Sequence, residues 1–244
     1  MNKADYNLIA KYYDTVIGAG FETGEYLFKI VKKYIGKNEI KSVLELGCGT
    51  GENLKAFDTK IDITGIDISS EMIKIAKKKI PGAELKVKDI REFKFNRKFD
   101  LILCLYDTIN HITLFSDWKK IFMNTSEHLN PHGVFVFDIN TMFKLDYFTT
   151  ISPIVHEFGK NNLIININKT GKNTFNWNLK IFEQVRLNNY KLTEADIKES
   201  SFEIFKIKNE LEKYFNVLKI EDDTGKSVKE NSGRVFFICR KKQY

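Results

Sequence analysis

The sequence predicts an α/β fold, a mostly parallel sheet wound with helices, interrupted late in the chain by an antiparallel β insertion. Three observations carry this. Short apolar runs alternate with helical patterns through the first 140 residues, the signature of successive βαβ units. Beyond about residue 150 the apolar side chains fall instead at every second position, as in a half-exposed antiparallel strand. The length, 244 residues, suits one large domain or one domain with a sizeable insertion, and buries a core without disulfide or metal staples.

Ser42 to Leu46 reads as the first strand and ends in glycines; Asp62 to Ile66 is the second. Ser69-Ser70-Glu71 then opens a helix through Met72 to Lys79, with a hydroxyl to accept orphan N–H groups and a carboxylate at the positive end. Leu85 to Lys88 is a weaker third strand, and Leu101 to Leu105 a solid apolar run expected for a strand buried on both faces. Ser116 is placed to cap a helix from Asp117 to Leu129, stopped by Asn130-Pro131-His132-Gly133, and Val134 to Phe137 follows as a buried strand. In the later region Phe175, Trp177, Leu179, Ile181, Val185 and Leu187 alternate with polar residues. Leu163, Ile165 and Ile167 begin the same pattern, and Thr170-Gly171-Lys172-Asn173 makes a hairpin turn between the two. Helical periodicity returns around Ile207 to Phe215, and Val217 to Ile220 and Val235 to Cys239 close the chain as strands. Residues 1–149 and 204–244 are therefore expected to form one α/β domain, with 150–203 as the antiparallel insertion.

Composition removes several classes. With 43% hydrophobic and 13% aromatic residues the chain is not disordered, and 3 prolines exclude a Pro-rich linker. Cys48, Cys104 and Cys239 are odd in number and far apart, without a CxxC pair, so neither a disulfide framework nor a thiolate metal site is expected. The 4 histidines lack metal-ligand spacing, and no metal is expected. Met1 to Tyr6 holds no apolar targeting segment, and no apolar run approaches the ~20 residues of a membrane span. The expectation is a cytoplasmic protein without a membrane partner, monomeric or homodimeric. A net charge of +7 invites nucleic acid, but outside Lys77-Lys78-Lys79 and Arg240-Lys241-Lys242 the basic residues are scattered.

The most informative stretch is Glu45-Leu46-Gly47-Cys48-Gly49-Thr50-Gly51-Glu52, a buried strand running into a glycine-rich turn. Glycine there lets the backbone turn with positive φ and approach a ligand closely, with a helix expected to start beyond it. A dinucleotide fingerprint would have a further glycine where Glu52 stands, and a carboxylate repels a pyrophosphate. Glu45 adds a second negative charge, so the loop suits a ligand that is cationic or zwitterionic on this side. Asp67 ends the next strand, 20 residues after Gly47, where a carboxylate can accept both hydroxyls of a ribose. The same residue can instead serve the helix start behind it. Asp89-Ile90 follows the third strand, where the carboxylate can accept an adenine N6 hydrogen or face solvent.

Together with Phe99-Asp100-Leu101-Ile102 and Leu129-Asn130-Pro131-His132-Gly133-Val134-Phe135-Val136-Phe137, this set resembles the class I S-adenosylmethionine-dependent methyltransferases. Tyr6, Ala10, Tyr13-Asp14 and the C-terminal Ser232-Gly233-Arg234-Val235-Phe236-Phe237 look like its small-molecule branch, which includes amino-sugar N,N-dimethyltransferases and glycine N-methyltransferase-like enzymes. The resemblance is close over residues 1 to 140 and extends to the remainder in layout. It implies a Rossmann-like seven-stranded sheet whose last strand is antiparallel, and S-adenosylmethionine as cofactor. It further implies that Gly47, Cys48, Gly49 and Gly51 border the cofactor near Glu45, and that Asp67 holds the ribose with Ile68 against the adenine. Asp89 and Ile90 would read the adenine edge, the Leu105 carbonyl would take the cofactor's ammonium, and Tyr13 would close over it.

Methyl transfer of this kind needs alignment and dryness more than a nucleophile or a metal. Where the acceptor must lose a proton, His111 is the base candidate, beyond the fourth strand on the rim; Tyr13 and Tyr106 are the further catalytic candidates. His128 and His132, flanking a helix end, read as structural, and His156 faces either solvent or the cleft. Phe175, Trp177 and Tyr190 would roof the acceptor, and Lys169, Lys172 and Lys180 would suit an acidic one. The expected partner is a small molecule, an amine or hydroxyl acceptor that includes a nucleotide-linked sugar, with nucleic acid not expected. Two rivals stay open: a tRNA or rRNA methyltransferase and a non-catalytic S-adenosylmethionine-binding protein. Against the first, Cys104-Leu105-Tyr106-Asp107 is not the Asp/Asn-Pro-Pro-aromatic motif of base-amino methylation.

Overall fold

A computed structural model describes residues 3–17, 33–34 and 40–243. Its centre is a seven-stranded sheet of order β10-β11-β5-β4-β1-β2-β3. Strands β1 (Ser42–Leu46), β2 (Asp62–Asp67), β3 (Glu84–Val87), β4 (Phe99–Cys104) and β5 (Leu129–Asn140) are mutually parallel. β11 (Arg234–Lys241) inserts antiparallel between β5 and β10 (Phe215–Asp222), as the resemblance implies. Adjacent strand residues point to opposite faces, so the apolar runs supply two cores at once. Phe135 and Phe137 of β5 join Trp118, Ile121 and Phe122 of α3 (Phe115–His128) on one face. Val134 and Val136 join Ile73 and Ala76 of α2 (Ser70–Lys79) on the other. The Phe137 and Phe237 rings stack at 4.7 Å across the β5–β11 pair.

The elements differ from the expected ones in four places. Beyond the glycine loop no regular helix forms, only a short 3-10 turn at Leu54–Ala56, because Asn53 Nδ2 is drawn to the buried Glu45 carboxylate (2.6 Å). α3 starts at Phe115 with Leu114 as its cap residue, so Ser116 lies inside the helix instead of capping it. Asn130-Pro131-His132-Gly133 does end the helix, but as the start of β5, where the pairing with β4 slips between Phe99 and Leu101 and accommodates the proline. Two strands of the insertion had no clear pattern in the sequence: β6 (Ile154–Phe158) is mostly exposed, and β9 (Asn189–Ser200) begins with a run of exposed residues.

With β7 (Asn161–Lys169) and β8 (Thr174–Arg186) these make a four-stranded antiparallel sheet of order β6-β7-β8-β9, with residues 170–173 turning between β7 and β8 as expected. The small sheet buries its inner face against the N-terminal helix α1 (Lys3–Tyr12): Ile9 and Tyr12 pack on Leu163, Leu179, Ile181, Ala195 and Ile197. α1 also reaches the large sheet, where Asn7 Oδ1 accepts from Ser69 Oγ (2.7 Å) at the start of α2. At its far end β9 is tied to β5 by Asn110, whose amide donates to both the Asn140 and Ser200 carbonyls at 2.9 Å. No described helix is long and apolar enough to cross a membrane.

Candidate active site

The carboxyl ends of β1, β2 and β4, where open α/β sheets bind ligands, meet the N-terminal segment and the small sheet. The glycine loop turns here because it must. Gly47 has φ +72°, and a Cβ on it would lie 2.3 Å from Thr108 Cγ2. Gly49 (φ +51°) has only Tyr13 near its absent Cβ, at 3.9 Å, so its backbone lies open to the cleft. Asp67 is buried at the end of β2 and lines that cleft with Gly47, Gly49, Tyr13 and Met72. Its carboxylate accepts from Gly49 N (3.0 Å) and Ser69 N (2.8 Å), so it holds the loop and the start of α2 in register. Asp67 thus serves the helix start and also faces the cleft. Burial raises its pKa, against which those two N–H groups work.

Glu45 sits fully inside β1. Burial pushes its pKa up to about 8, and Oε2 has no hydrogen-bond partner although Oε1 accepts from Asn53. An open glycine backbone and a cleft-lining aspartate, with a buried carboxyl oxygen behind them that has no partner among the described residues, fit a zwitterionic nucleoside such as S-adenosylmethionine. The adenine-side candidates are less open. Asp89 is gripped by Arg91 (2.5 Å from Nη2), which holds its carboxyl below the usual range, Ile90 is buried in the main core, and Ile68 is half-buried. The Leu105 carbonyl accepts both the Thr108 hydroxyl (2.7 Å) and the Thr108 N–H (3.4 Å), so its two acceptor positions are already engaged within the chain and the carbonyl expected to take the ammonium is not open. Cys48 packs beneath the loop and Gly51 faces Ile80 and Ala76, so both shape it from behind.

Next to this cleft lies a cavity of about 280 Å³ between the two sheets. Tyr6, Tyr13, Tyr106 and His111 line both spaces. Tyr106 (φ 55°) and Asp107 (φ 49°) both adopt the left-handed conformation, a strained pair that turns the chain after β4 and aims Asp107 inward. Asp107 is bridged by Arg234 (2.8 Å), which also reaches the fully buried Asp138 (3.0 Å). Burial pushes Asp138 up to about 6, opposed by Arg234. Lys144 lines the same wall with its pKa lowered by burial and by Arg234.

His111 stands on the rim as expected, with Tyr6 Oη 3.0 Å from Nε2. Burial lowers it to about 4, so at neutral pH it is an uncharged hydrogen-bonding ring with a weak hold on any proton. Tyr13 and Tyr106 face the cavity, and burial holds the Tyr13 phenol protonated well above its ordinary range. Among the described residues Asp107, His111 and Glu199 are the metal-ligand types brought together, their ligand atoms all within 4.8 Å. Sequence spacing hides this trio, because Glu199 arrives from β9. Its partners argue against a metal: Arg234 neutralises Asp107, and Tyr6 and the Lys198 carbonyl occupy His111.

Of the expected roof, Trp177 lines the cavity, whereas Phe175 is buried in the sheet and Tyr190 is exposed. His156 lines it too. Lys169, Lys172 and Lys180 do not line it; Lys169 pairs with Asp146 and Lys180 with Glu194, and the cavity's cations are Lys144 and Arg234 instead. His128 is structural as read, accepting from Phe95 N (3.0 Å), and His132 lies against Gln243.

Comparison with known proteins agrees with this geometry. Residues 43–133 match the family described as a methyltransferase domain. Over 101 residues, 41% of this chain and 41% of the relative, the sequence is 33% identical to dTDP-4-amino-2,3,4,6-tetradeoxy-D-glucose N,N-dimethyltransferase from Saccharopolyspora spinosa. The chain spans about two fifths of the length of the first curated relatives it matches. A crystal structure of a S-adenosylmethionine-dependent methyltransferase from Clostridium acetobutylicum superposes over 98% of this chain and 99% of that one, with TM-score 0.86 and 26% identity. The fold is shared as well by an amino pentose methyltransferase from Micromonospora echinaspora (TM-score 0.72, 15% identity, 95% and 97% covered).

Proposed function

We propose, for a chain that carries a class I S-adenosylmethionine-dependent methyltransferase domain, that it methylates an amine or hydroxyl of a small molecule held in the cavity between its two sheets. The observation that carries this reading is the shared wall: Tyr6, Tyr13, Tyr106 and His111 border both the glycine-loop cleft and the 280 Å³ cavity. A cofactor in the first space and an acceptor in the second therefore meet across one layer of side chains. S-adenosylmethionine, when bound, supplies a methyl carbon on a sulfonium, whose positive charge passes to the acceptor.

The chain's residues prepare that transfer. Glu45 and the glycine loop receive the cationic end of the cofactor, and Asp67 receives its ribose while Asp89 and Ile90 border the base. Tyr13 and Tyr106 exclude water and fix the approach, the alignment from which ~7–11 kcal/mol of barrier lowering is available. His111, neutral and held by Tyr6, positions the acceptor's polar group. Residues 150–203, the antiparallel insertion, shape the acceptor side through Ile154, His156, Ile165, Trp177, Leu179 and Glu199. A nucleotide-linked amino sugar, the substrate class in the name of the Saccharopolyspora relative, supports an amine acceptor.

Two measurements test this. Titration calorimetry of S-adenosylmethionine on the protein and on Asp67→Ala should show affinity lowered at least about tenfold in the variant; equal affinity overturns the cofactor site. Incubation with methyl-labelled cofactor and amines, amino sugars or tRNA should label small amines, and label in tRNA alone overturns the small-molecule reading.

A further inference from the structure

β9 alternates strictly through its second half: Ala195 and Ile197 point into the small sheet's buried face, while Glu194, Asp196 and Lys198 point away. The next inward position is Glu199, only 5% exposed, opposite Phe175 of β8. A carboxylate in an apolar register breaks the pattern that the rest of the strand obeys, which marks functional positions more often than structural ones. It faces the 280 Å³ cavity, and although the side chain hydrogen-bonds with Asn140, its Oε2 is buried with no hydrogen-bond partner among the described residues. Asn110 ties the next residue, Ser200, to β5, and the Glu199 carboxylate lies within 4.8 Å of the Asp107 and His111 ligand atoms. We propose, resting on the function given above, that Glu199 is the acceptor-binding residue: it selects an ammonium group over a hydroxyl and takes its proton before methyl transfer.

The chemistry follows from the surroundings. An alkylamine reaches the site as an ammonium, with no lone pair to offer. Glu199 Oε2 accepts a hydrogen bond from it, the N–H bond breaks, an O–H bond forms, and the electron pair stays on nitrogen. Two opposite charges become a neutral amine and a neutral carboxyl, which a dry cavity favours. The proton leaves to water when product exchanges. Burial and the neighbouring Asp107 raise the Glu199 pKa well above its ordinary value, while a side-chain hydrogen bond with Asn140 and the charges of Arg234 and Lys144 oppose the shift. His111 and Tyr6 also line its cavity with Tyr13, Tyr106 and His156; His111 is neutral and Tyr6 protonated at pH 7. A hydroxyl acceptor brings no charge to the orphan oxygen and does not compensate its burial.

Glu199→Gln keeps the shape and one acceptor oxygen, so the fold is retained. The experiment measures S-adenosylmethionine affinity by calorimetry and labelled transfer to glucosamine-type amino sugars and the matching hydroxyl sugars, each free and as thymidine-diphosphate conjugates. The expected result is unchanged cofactor affinity, transfer by the native protein to amino sugars only, and a fall in kcat/KM of about a hundredfold or more in Glu199→Gln. Glu199→Asp should recover part of the loss, and the native activity should persist in EDTA. Retained transfer in Glu199→Gln, equal use of hydroxyl sugars, no labelling of any amino sugar, or loss of activity in EDTA overturns the assignment. Failure of the native protein to bind S-adenosylmethionine overturns the parent function instead, and this one with it.

Discussion

A single side chain, Glu45, shows what a buried carboxyl costs the fold. It is neutral over most of the physiological range because burial raises its pKa to about 8. The folded protein therefore keeps a proton that the unfolded chain releases above its ordinary carboxylate pKa. Its contribution to stability is complete below about pH 4.5 and is lost as pH rises through about 8. Glu45→Gln has no such proton, and its amide can still accept from Asn53. Urea midpoints measured from pH 5 to 8 without ligand should therefore fall more steeply for the native protein than for the variant. The difference in slope approaches ~1.4 kcal/mol per pH unit at most, and parallel profiles would contradict the assignment of Glu45 as a buried, protonated carboxyl. The glycine loop that Glu45 begins was plain in the sequence, since its residues are contiguous and each glycine answers a local backbone need. Glu199 was not, although its break in the Ala195–Ile197 alternation was there to be seen; only the pairing of β8 with β9 carries it to Asp107 and His111.

Among elements, α1 has the most to hold for its length. Ile9 and Tyr12 complete the small sheet's core, Asn7 secures α2, and Tyr6 contacts His111. Ile9→Ala should cost about 2–5 kcal/mol in urea unfolding, as for other large-to-small changes at fully buried positions. It should also weaken acceptor turnover more than cofactor affinity, because the helix seats the small sheet while the glycine loop is anchored on β1 and β2. A loss below ~0.5 kcal/mol would mean that α1 is not part of the fold's cooperative core. The strands of the large sheet were legible because burial on both faces leaves unbroken apolar runs. β6 and the outer half of β9 were not, being mostly exposed edge segments in which pairing, not hydrophobic pattern, makes the strand. The helix expected after Gly51 failed for a related reason: a side-chain contact, Asn53 with Glu45, outweighed local propensity.

At the scale of the whole molecule, many of the 39 basic residues are matched by acidic neighbours in surface pairs, and the remaining net charge of +7 is spread along the chain. Lys79 of the Lys77-Lys78-Lys79 run bridges Asp14 and Glu52, and Lys11, Lys55 and Lys74 each hold a glutamate. The acceptor KM should therefore change less than about twofold between 50 and 200 mM salt, where a polyphosphate ligand held by many cations would lose roughly a thousandfold in affinity. A steep salt dependence would return RNA to consideration. The four-residue wall between cleft and cavity has one more consequence. The cleft is narrow, about 30 Å³, and Tyr6 and Tyr13, which line it, also line the larger cavity, so a ligand that moves them in one space reshapes the other. Whatever factor the first occupant applies to the second one's affinity, the second must return to the first. Two ligands held in these adjoining spaces are thus thermodynamically linked, and their saturation behaviour belongs to the pair and not to either site alone.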